Sequence, residues 1–260
     1  MELHHYIIAI LGGAFAGAIN TLAGNGSAIT LTILTEILDL PGNLANGTNR
    51  LGVFAQTIAA TFAFYKNGKL DWKRSKVYVL ITTIGAIAGV LVAIWVSNEQ
   101  FKSVFSYMMV VMLFVVLVKP KRWLRETDTS IKPNYWIAVP AFLALGFYGG
   151  FIQMGMGIFF LGIMVLGAKW SLIDANVIKS LIVATYSILV IAIFQWKGFI
   201  DWEIGAIIAL GQMAGGWLTA TFASRYAKAN IWAYRLLIAV MVLAILKLFK
   251  LHLLILNVFQ

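Results

Sequence analysis

The chain has 260 residues, of which 61% are hydrophobic and only 12% are charged, and its mean hydropathy is +0.89. A soluble domain of this length would need far more polar surface, so the composition indicates a helical protein that crosses a membrane several times. The absence of cysteine excludes disulfides, thiolate nucleophiles and cysteine-ligated metals. A net charge of +10 is typical of basic cytoplasmic loops in membrane proteins, and we expect no nucleic-acid partner.

Apolar stretches of membrane-spanning length recur along the whole chain. They predict long helices at residues 5–23, 43–65, 73–96, 101–118, 134–153, 174–196, 202–224 and 231–250. Two shorter apolar segments, 27–39 and 157–168, would form helices only ~18–20 Å long, which is short for a hydrocarbon layer of ~30 Å. The first apolar stretch has neither a basic segment before it nor a clean cleavage site after it, so we expect a retained helix.

Each short segment follows a glycine-containing interruption. The first reads Ala-Gly-Asn-Gly-Ser at Ala23–Ser27, and the second reads Met-Gly-Met-Gly at Met154–Gly157. Glycine lowers helix stability by about 1 kcal/mol and permits positive φ, so both places are expected to unwind. Lipid cannot satisfy the backbone groups that unwinding releases, so protein, water or a ligand must do so.

Short motifs of the first half return in the second half. The pairs are Gly13–Asn20 with Gly146–Gln153, Ala45–Asn46 with Ala175–Asn176, Gly68–Trp72 with Gly198–Trp202, and Gly85–Gly89 with Gly211–Gly215. They predict an all-α fold of two homologous repeats around a central site, each with about four long helices and one short segment. The expected divisions are 1–118 for the first repeat, 119–133 for a cytoplasmic linker and 134–260 for the second repeat. The Gly-x-x-x-Gly spacing in several of these motifs predicts closely packed helices.

Basic loops predict the orientation. Residues 66–76 and 119–132 each carry five lysines and arginines, which favours the cytoplasmic side for both. The matching turns 66–72 and 197–201 would then face opposite sides of the membrane, so we expect inverted repeats and external termini. Lys247 and Lys250, near the C-terminus, argue against this orientation.

Polar side chains are concentrated around the interruptions and in the helix that follows each. Buried amides cost free energy unless they are hydrogen-bonded, so these groups either bind a ligand or join helices through bonds worth ~0.6 kcal/mol each. The candidate substrate-binding residues are Asn20, Asn25, Gly26, Ser27, Asn46, Thr48, Asn49, Arg50, Gln153, Gly155, Gly157, Asn176 and Lys179.

Arg50 and Lys179 are the most informative members of this set. A cation inside the membrane costs at least ~2.5–3.5 kcal/mol, so it normally faces a cavity or a partner. Both side chains could instead reach the lipid headgroups, and Lys179 could pair with Asp174. The functional interpretation is a positive field for an anion, with the planar guanidinium matching an oxyanion. Acidic residues are scarce, and no motif predicts a catalytic centre, a metal or a cofactor.

The motifs around the first interruption resemble a known family. Gly13 and Gly17, Gly24-Asn-Gly26, Leu40-Pro41, the Ala45–Leu51 segment and Gly68-x-x-Asp71-Trp72 together resemble the first half of the sulfite exporter TauE/SafE family. The Ala-x-Gly-Thr match that ends at Thr48 is the most specific, and a weaker resemblance continues through 146–223. The resemblance implies an integral membrane transporter for small, mostly sulfur-containing anions. At the matching place the second half has Ala175-Asn-Val-Ile-Lys179.

These observations lead to the hypothesis of a secondary transporter that exports a small sulfur-containing anion, such as sulfite or sulfoacetate, by alternating access. The expected location is the cytoplasmic (inner) membrane of a bacterium, with several crossings. The expected partners are the anion and the lipid bilayer, and a homodimer remains open. An anion channel of the same architecture, an intramembrane enzyme and a non-transporting scaffold are the alternatives.

Overall fold

The computed structural model describes residues 3–95, 97, 114, 123–124, 126–128, 134–226 and 228–248. These residues form helices joined by short turns, and no strand occurs among them. The predicted helix at 101–118 lies outside the described residues except for Phe114, which is helical. Most of the predicted linker 119–133 also lies outside them.

The described residues of the first part of the chain form four helices in the predicted order. α1 is Leu3–Ala23, and α2 is Gly26–Thr32 with a π-helical turn at Ile33–Ile37. α3 is Gly42–Lys66 and α4 is Trp72–Ala93. The predicted bounds of these helices are confirmed to within a few residues.

The second part follows the same order. α5 is Tyr135–Phe151, and α6 is Met156–Gly162 with a π-helical turn at Ile163–Gly167. Three further helices complete the described chain: α7 at Leu172–Trp196, α8 at Trp202–Arg225 and α9 at Ala229–Leu248. The predicted helices are confirmed here as well.

Four of these helices are long and apolar enough to cross a membrane: His4–Ala23, Ser75–Ala93, Leu172–Trp196 and Trp202–Arg225. Large apolar side chains also cover the outside of the bundle; Phe15, Phe62 and Leu80 are about 60% exposed. An apolar exterior of this kind is unfavourable in water and is what a lipid environment requires. The chain is therefore a multi-pass membrane protein.

The short helix α2 turns back along α1. Gly26, at the start of α2, packs against Ala16 near the end of α1, whereas Ile33 reaches Gly12 further back. α6 returns along α5 in the same way, with Met156 beside Gly149 and the rings of Phe160 and Phe142 in edge contact at 5.6 Å. Each interruption is therefore the tip of a helical hairpin.

Glycines bring the long helices into backbone contact in two pairs. On α1 and α8, Gly211 touches the carbonyl of Ile10 and Gly215 touches that of Ala14, so the two helices run parallel. On α4 and α5, Gly146 touches Thr82 and Gly150 touches Ala86, and these helices also run parallel. A Cβ atom at any of these glycines would collide with backbone, which explains the Gly-x-x-x-Gly spacing.

The central helices α3 and α7 run antiparallel. The backbone N–H of Asp201, just after α7, donates to Thr48 Oγ1 near the start of α3 at 2.9 Å. At the other end, a cavity of about 180 Å³ brings Lys69 and Asp71, just after α3, to Asp174 near the start of α7. The start of α3 therefore lies beside the end of α7, and the start of α7 lies beside the end of α3.

Candidate functional site

The two interruptions meet at a pair of glycines. A Cβ atom on Gly24 would lie 2.7 Å from the Cα atom of Gly157, and one on Gly157 would lie 2.6 Å from the carbonyl oxygen of Gly24. Gly24 also has φ +77°, a conformation that side chains disfavour. We call this backbone contact between Gly24 and Gly157 the junction.

The ammonium of Lys179 caps the C-terminal end of α1. It donates to the carbonyl oxygens of Asn20 at 2.6 Å and Thr21 at 3.3 Å and to Asn176 Oδ1. Asn176 Nδ2 in turn donates to the carbonyl oxygen of Leu22 at 3.0 Å. The last four carbonyls of a helix have no partner within it, so these two side chains of α7 act as the C-cap of α1.

The guanidinium of Arg50 closes the end of α5 in a reciprocal manner. Nη1 donates to the carbonyl oxygen of Gly149 at 2.7 Å and to Gln153 Oε1 at 2.8 Å. Nη2 donates to the carbonyl oxygen of Gly150 at 3.1 Å and makes a longer contact with Asn46 Oδ1 at 3.4 Å. A cation from α3 therefore caps α5, while a cation from α7 caps α1.

Both cations are sealed inside the protein. Arg50 is 0% exposed and Lys179 is 2% exposed, so neither side chain reaches the headgroups. The predicted alternative of a Lys179–Asp174 pair is not found, since Asp174 Oδ2 accepts a hydrogen bond from Thr127. No carboxylate in the described ranges hydrogen-bonds to either cation, and their acceptors are neutral oxygens.

The two cations differ in how many of their donors are used. An ammonium has three N–H groups, and Lys179 has three oxygen acceptors. A guanidinium has five N–H groups, and the four on Nη1 and Nη2 of Arg50 are matched by four contacts. Arg50 Nε is buried and has no hydrogen-bond partner among the described residues. Arg50 therefore keeps one buried N–H without a partner, whereas the three N–H groups of Lys179 all have acceptors.

Asn49, the neighbour of Arg50, also has a donor to spare. Its Oδ1 accepts hydrogen bonds from Thr30 Oγ1 at 2.6 Å and from Gln212 Nε2 at 3.5 Å. These contacts fix the orientation of the amide. Asn49 Nδ2 is buried without a partner in the described part of the chain.

Two polar side chains of the first interruption complete this group. Asn25 is 0% exposed, and neither its Oδ1 nor its Nδ2 has a partner within the ranges that the structure covers. Ser27 Oγ is likewise buried without a partner there. The hydroxyl of Thr30 lies 3.3 Å from the carbonyl oxygen of Ser27 and also donates to Asn49. Such groups are costly to bury unsatisfied, so they indicate a place for water or a ligand. Asn25, Ser27, Asn49 and Arg50 share this feature of buried polar atoms without partners, and we call these four residues the donor cluster.

Other predicted site residues are occupied by the protein itself. Asn20 Nδ2 donates to Gln56 Oε1 at 2.7 Å, and Thr48 Oγ1 accepts from the loop after α7. Asn46 and Asn176 orient the two cations, as described above, and Gly26 packs on α1. These residues shape the site through contacts between helices.

The second interruption contains a residue in a strained backbone conformation. Gln153 has φ +59°, and its Oε1 accepts from both Arg50 Nη1 and the hydroxyl of Tyr186, the latter at 2.9 Å. Gly155 has φ +78° and is the N-cap of α6. Left-handed conformations of residues other than glycine cost free energy and persist where their surroundings hold them, as Arg50 and Tyr186 hold Gln153 here.

Four hydrogen-bond partners of the site were not among the predicted site residues: Thr30, Gln56, Tyr186 and Gln212. Each is fully or almost fully buried. For Gln212 a signal was present, because an amide that lies between Gly211 and Gly215 on a closely packed helix face has no access to lipid or water. Gln56 and Tyr186 were signalled by the repeat, since they occupy matching positions in α3 and α7.

A multi-pass bundle in which two interrupted helices meet beside buried cations is the architecture of a membrane transporter. Comparison with known proteins agrees: the chain belongs to the sulfite exporter TauE/SafE family, whose profile matches residues 9–248. The match includes both interruptions and every residue of the donor cluster.

Curated relatives are described as probable membrane transporter proteins. A Sinorhizobium protein, "Probable membrane transporter protein ORF9", is 26% identical over 87% of this chain and 85% of its own length. A Haemophilus influenzae relative is 26% identical over 85% of this chain and 86% of its own, and a Xylella fastidiosa relative is 22% identical over 87% and 88%. No solved structure matches the chain. The names indicate a transporter and not an enzyme.

Proposed function

We propose that the protein is a secondary transporter that exports a small sulfur-containing anion, such as sulfite or the organosulfonate sulfoacetate, across the inner membrane of a bacterium. The observation that carries the proposal is the pair of buried cations, Arg50 and Lys179, which have only neutral acceptors among the described residues. Uncompensated charge in a membrane interior is costly, and an anion bound nearby lowers that cost.

The donor cluster supplies the direct contacts in this proposal. Arg50 Nε and Asn49 Nδ2 donate to the oxygens of a sulfite or sulfonate group, and Ser27 Oγ and Asn25 Nδ2 donate from the first interruption. Hydrogen bonds to a charged acceptor are about twice as strong as neutral ones, which suits an anion held by neutral amides and one guanidinium. Lys179 acts through its charge, because its three donors are already used.

The arrangement of helices supports alternating access. We propose that residues 1–118 and 134–260 are homologous, inverted repeats joined by the linker 119–133, since α3 and α7 are antiparallel while α1 runs with α8 and α5 with α4. In this scheme each repeat holds the interrupted helix of the other through one cation. Rocking of one repeat against the other then moves the caps and opens the donor cluster to one side at a time.

The membrane potential supplies the driving force. A negative-inside potential favours outward movement of an anion by ~2.3 kcal/mol per charge per 100 mV. The buried polar residues of the described chain include no Asp or Glu that could carry a proton with the substrate. Export coupled to no other ion is the simplest mechanism that these residues support.

Counterflow in proteoliposomes tests the proposal. Vesicles loaded with unlabelled sulfite should accumulate external radiolabelled sulfite transiently, and Arg50→Gln should abolish the accumulation. Sulfoacetate and sulfate as competitors define the substrate class. Saturable exchange supports a carrier, conductance far above carrier rates without counterflow indicates a channel, and the absence of any sulfite or sulfonate flux contradicts the proposal.

A further inference from the structure

The oxygens around Lys179 have the composition of a site for a small cation. Two are the carbonyl oxygens of Asn20 and Thr21, and the third is Asn176 Oδ1. Neutral backbone carbonyl oxygens coordinate K⁺ in channel filters and Na⁺ at the ends of interrupted transporter helices. We infer that these oxygens form a monovalent-cation site and that the ammonium of Lys179 is its permanent occupant.

The position in the fold supports this inference. The C-terminal end of a helix carries a partial negative charge equivalent to about half an electron, and its last carbonyls lack intrahelical partners. Ends of interrupted helices are places where membrane transporters coordinate Na⁺ or a proton. The end of α1 is such a place, and there Lys179 lies 2% exposed among the oxygens.

The site is built in advance by a second set of hydrogen bonds. Asn176 Nδ2 donates to the carbonyl oxygens of Leu22 at 3.0 Å and Leu172 at 2.9 Å, which turns Oδ1 towards the ammonium. Asn20 is held by its own side chain, whose Nδ2 donates to Gln56 at 2.7 Å. None of these bonds involves Lys179, so the oxygens should keep their places when the ammonium is removed.

Arg50 provides an internal contrast. Its guanidinium also caps a helix end, but it does so as a flat fork across four acceptors, including the side chain of Gln153. A spherical ion cannot reproduce that pattern. An ammonium, in contrast, donates hydrogen bonds to oxygens in several directions, and an alkali ion can be coordinated by the same oxygens. Removal of Arg50 should therefore leave no site for Na⁺.

A permanent ammonium at this site also affects transport, in a way that goes beyond the proposed function and rests on it. Because the positive charge at the end of α1 is part of the chain, flux through the natural protein should not depend on Na⁺ or K⁺. A variant without the ammonium should need a soluble cation in its place. The existence of the site itself does not depend on which substrate is moved.

Thermal unfolding of purified Lys179→Ala tests the site without any transport assay. NaCl, KCl, NH₄Cl and methylammonium chloride are titrated against N-methyl-D-glucamine chloride, which keeps ionic strength and chloride constant. We expect Lys179→Ala to have a lower Tm than the natural protein and to regain about 3–6 °C for each tenfold rise in at least one small cation above its Kd. The natural protein and Arg50→Ala should not respond.

Lys179→Ser is the second variant, in case Lys179→Ala does not fold, because its hydroxyl keeps one polar group near the oxygens. If neither variant survives purification without added salt, recovery of monodisperse protein in one of the small cations, and not in N-methyl-D-glucamine, supports the site. An equal response of all cations, a matching response of Arg50→Ala, or no recovery in any cation overturns it. None of these outcomes depends on sulfite, so failure here is distinct from failure of the proposed function.

Discussion

The guanidinium of Arg50 caps the end of α5 through the carbonyl oxygens of Gly149 and Gly150 and also binds Gln153 and Asn46, while its Nε has no partner among the described residues. The structural role explains how a cation can be tolerated inside the bundle: helix carbonyls replace much of the solvation that water would give. In the proposed function, the remaining donor is the one that binds the anion. The two roles can be separated experimentally.

Arg50→Lys should keep the charge and lose the recognition. A lysine ammonium can reach the helix carbonyls, but it has no Nε–H in the position of the guanidinium. Loss of one charged hydrogen bond corresponds to about a ten- to hundredfold weaker affinity for sulfite. The affinity is measured from the rise in Tm as sulfite is added. Lys66→Arg, at the exposed end of α3, is the control and should bind sulfite as the natural protein does.

Asn49→Asp should abolish anion binding without unfolding the protein. The carboxylate keeps an acceptor for Thr30 and Gln212, and its second oxygen replaces Nδ2 in the residue that precedes Arg50 in the sequence. An added negative charge neutralises Arg50 and repels an anion, so the Tm without ligand should be unchanged or higher while the sulfite-induced shift disappears. A sulfite response equal to that of the natural protein would remove Asn49 from the donor cluster.

Asn67→Asp is the matched control for that change. Asn67 lies at the end of α3, where its Oδ1 accepts a hydrogen bond from Arg225 at 2.9 Å. The substitution adds the same charge away from the interruptions and keeps the acceptor. Its sulfite response should remain that of the natural protein.

The burial of the two cations was easier to predict from the sequence than their hydrogen-bond partners. Burial of Arg50 and Lys179 could be anticipated from their places in apolar helices. Their acceptors could not, because most are backbone carbonyls, which have no signature in the sequence and are brought near only by the packing of α3 on α5 and of α7 on α1. The predicted site residues and their roles in binding stay predictions.

The interruptions are the elements on which the account depends. Helix bounds followed from apolar length and glycine position, and the predicted short segments were confirmed as α2 and α6 with their π-helical turns. The hairpin arrangement was not predicted. It depends on contacts such as Gly26 with Ala16, which decide that the short helix folds back along the long one.

Gly157→Ala should separate the interruptions. Its new Cβ would lie 2.6 Å from the carbonyl oxygen of Gly24, closer than real contacts allow, so the backbone must shift. We expect destabilisation of about 1–3 kcal/mol, as for other overpacked sites, together with loss of counterflow. Gly167→Ala is the matched control, because a Cβ there meets nothing within 4 Å and should leave Tm and flux nearly unchanged.

The whole molecule has a topology that can be tested from outside. Lys69 lies in the turn between α3 and α4, Lys228 in the turn between α8 and α9, and Lys197 at the end of α7. α3 and α8 run parallel, with Gly205 beside Thr48 and Gly216 beside Gln56, while α7 is antiparallel to α3. Lys69 and Lys228 therefore lie on one side and Lys197 lies on the other. The basic residues at 66–76 predict that the shared side is the cytoplasm. This is the arrangement expected of inverted repeats.

Single cysteines can check this prediction, because the natural chain has none and serves as the blank. In intact cells a membrane-impermeant maleimide should label Lys197→Cys and should leave Lys69→Cys and Lys228→Cys unlabelled until the membrane is opened. Labelling of all three from outside would contradict the inverted arrangement. The homologous repeats and the linker at 119–133 stay predictions until such data exist.

The most direct test of the account is equilibrium binding of radiolabelled sulfite to purified protein in detergent or nanodiscs. We expect saturable binding to the natural protein, competition by sulfoacetate, and no binding to Arg50→Gln that has been verified as folded by its helical circular dichroism. Undiminished saturable binding to folded Arg50→Gln would contradict the claim that a buried guanidinium at the meeting of two interrupted helices holds the anion.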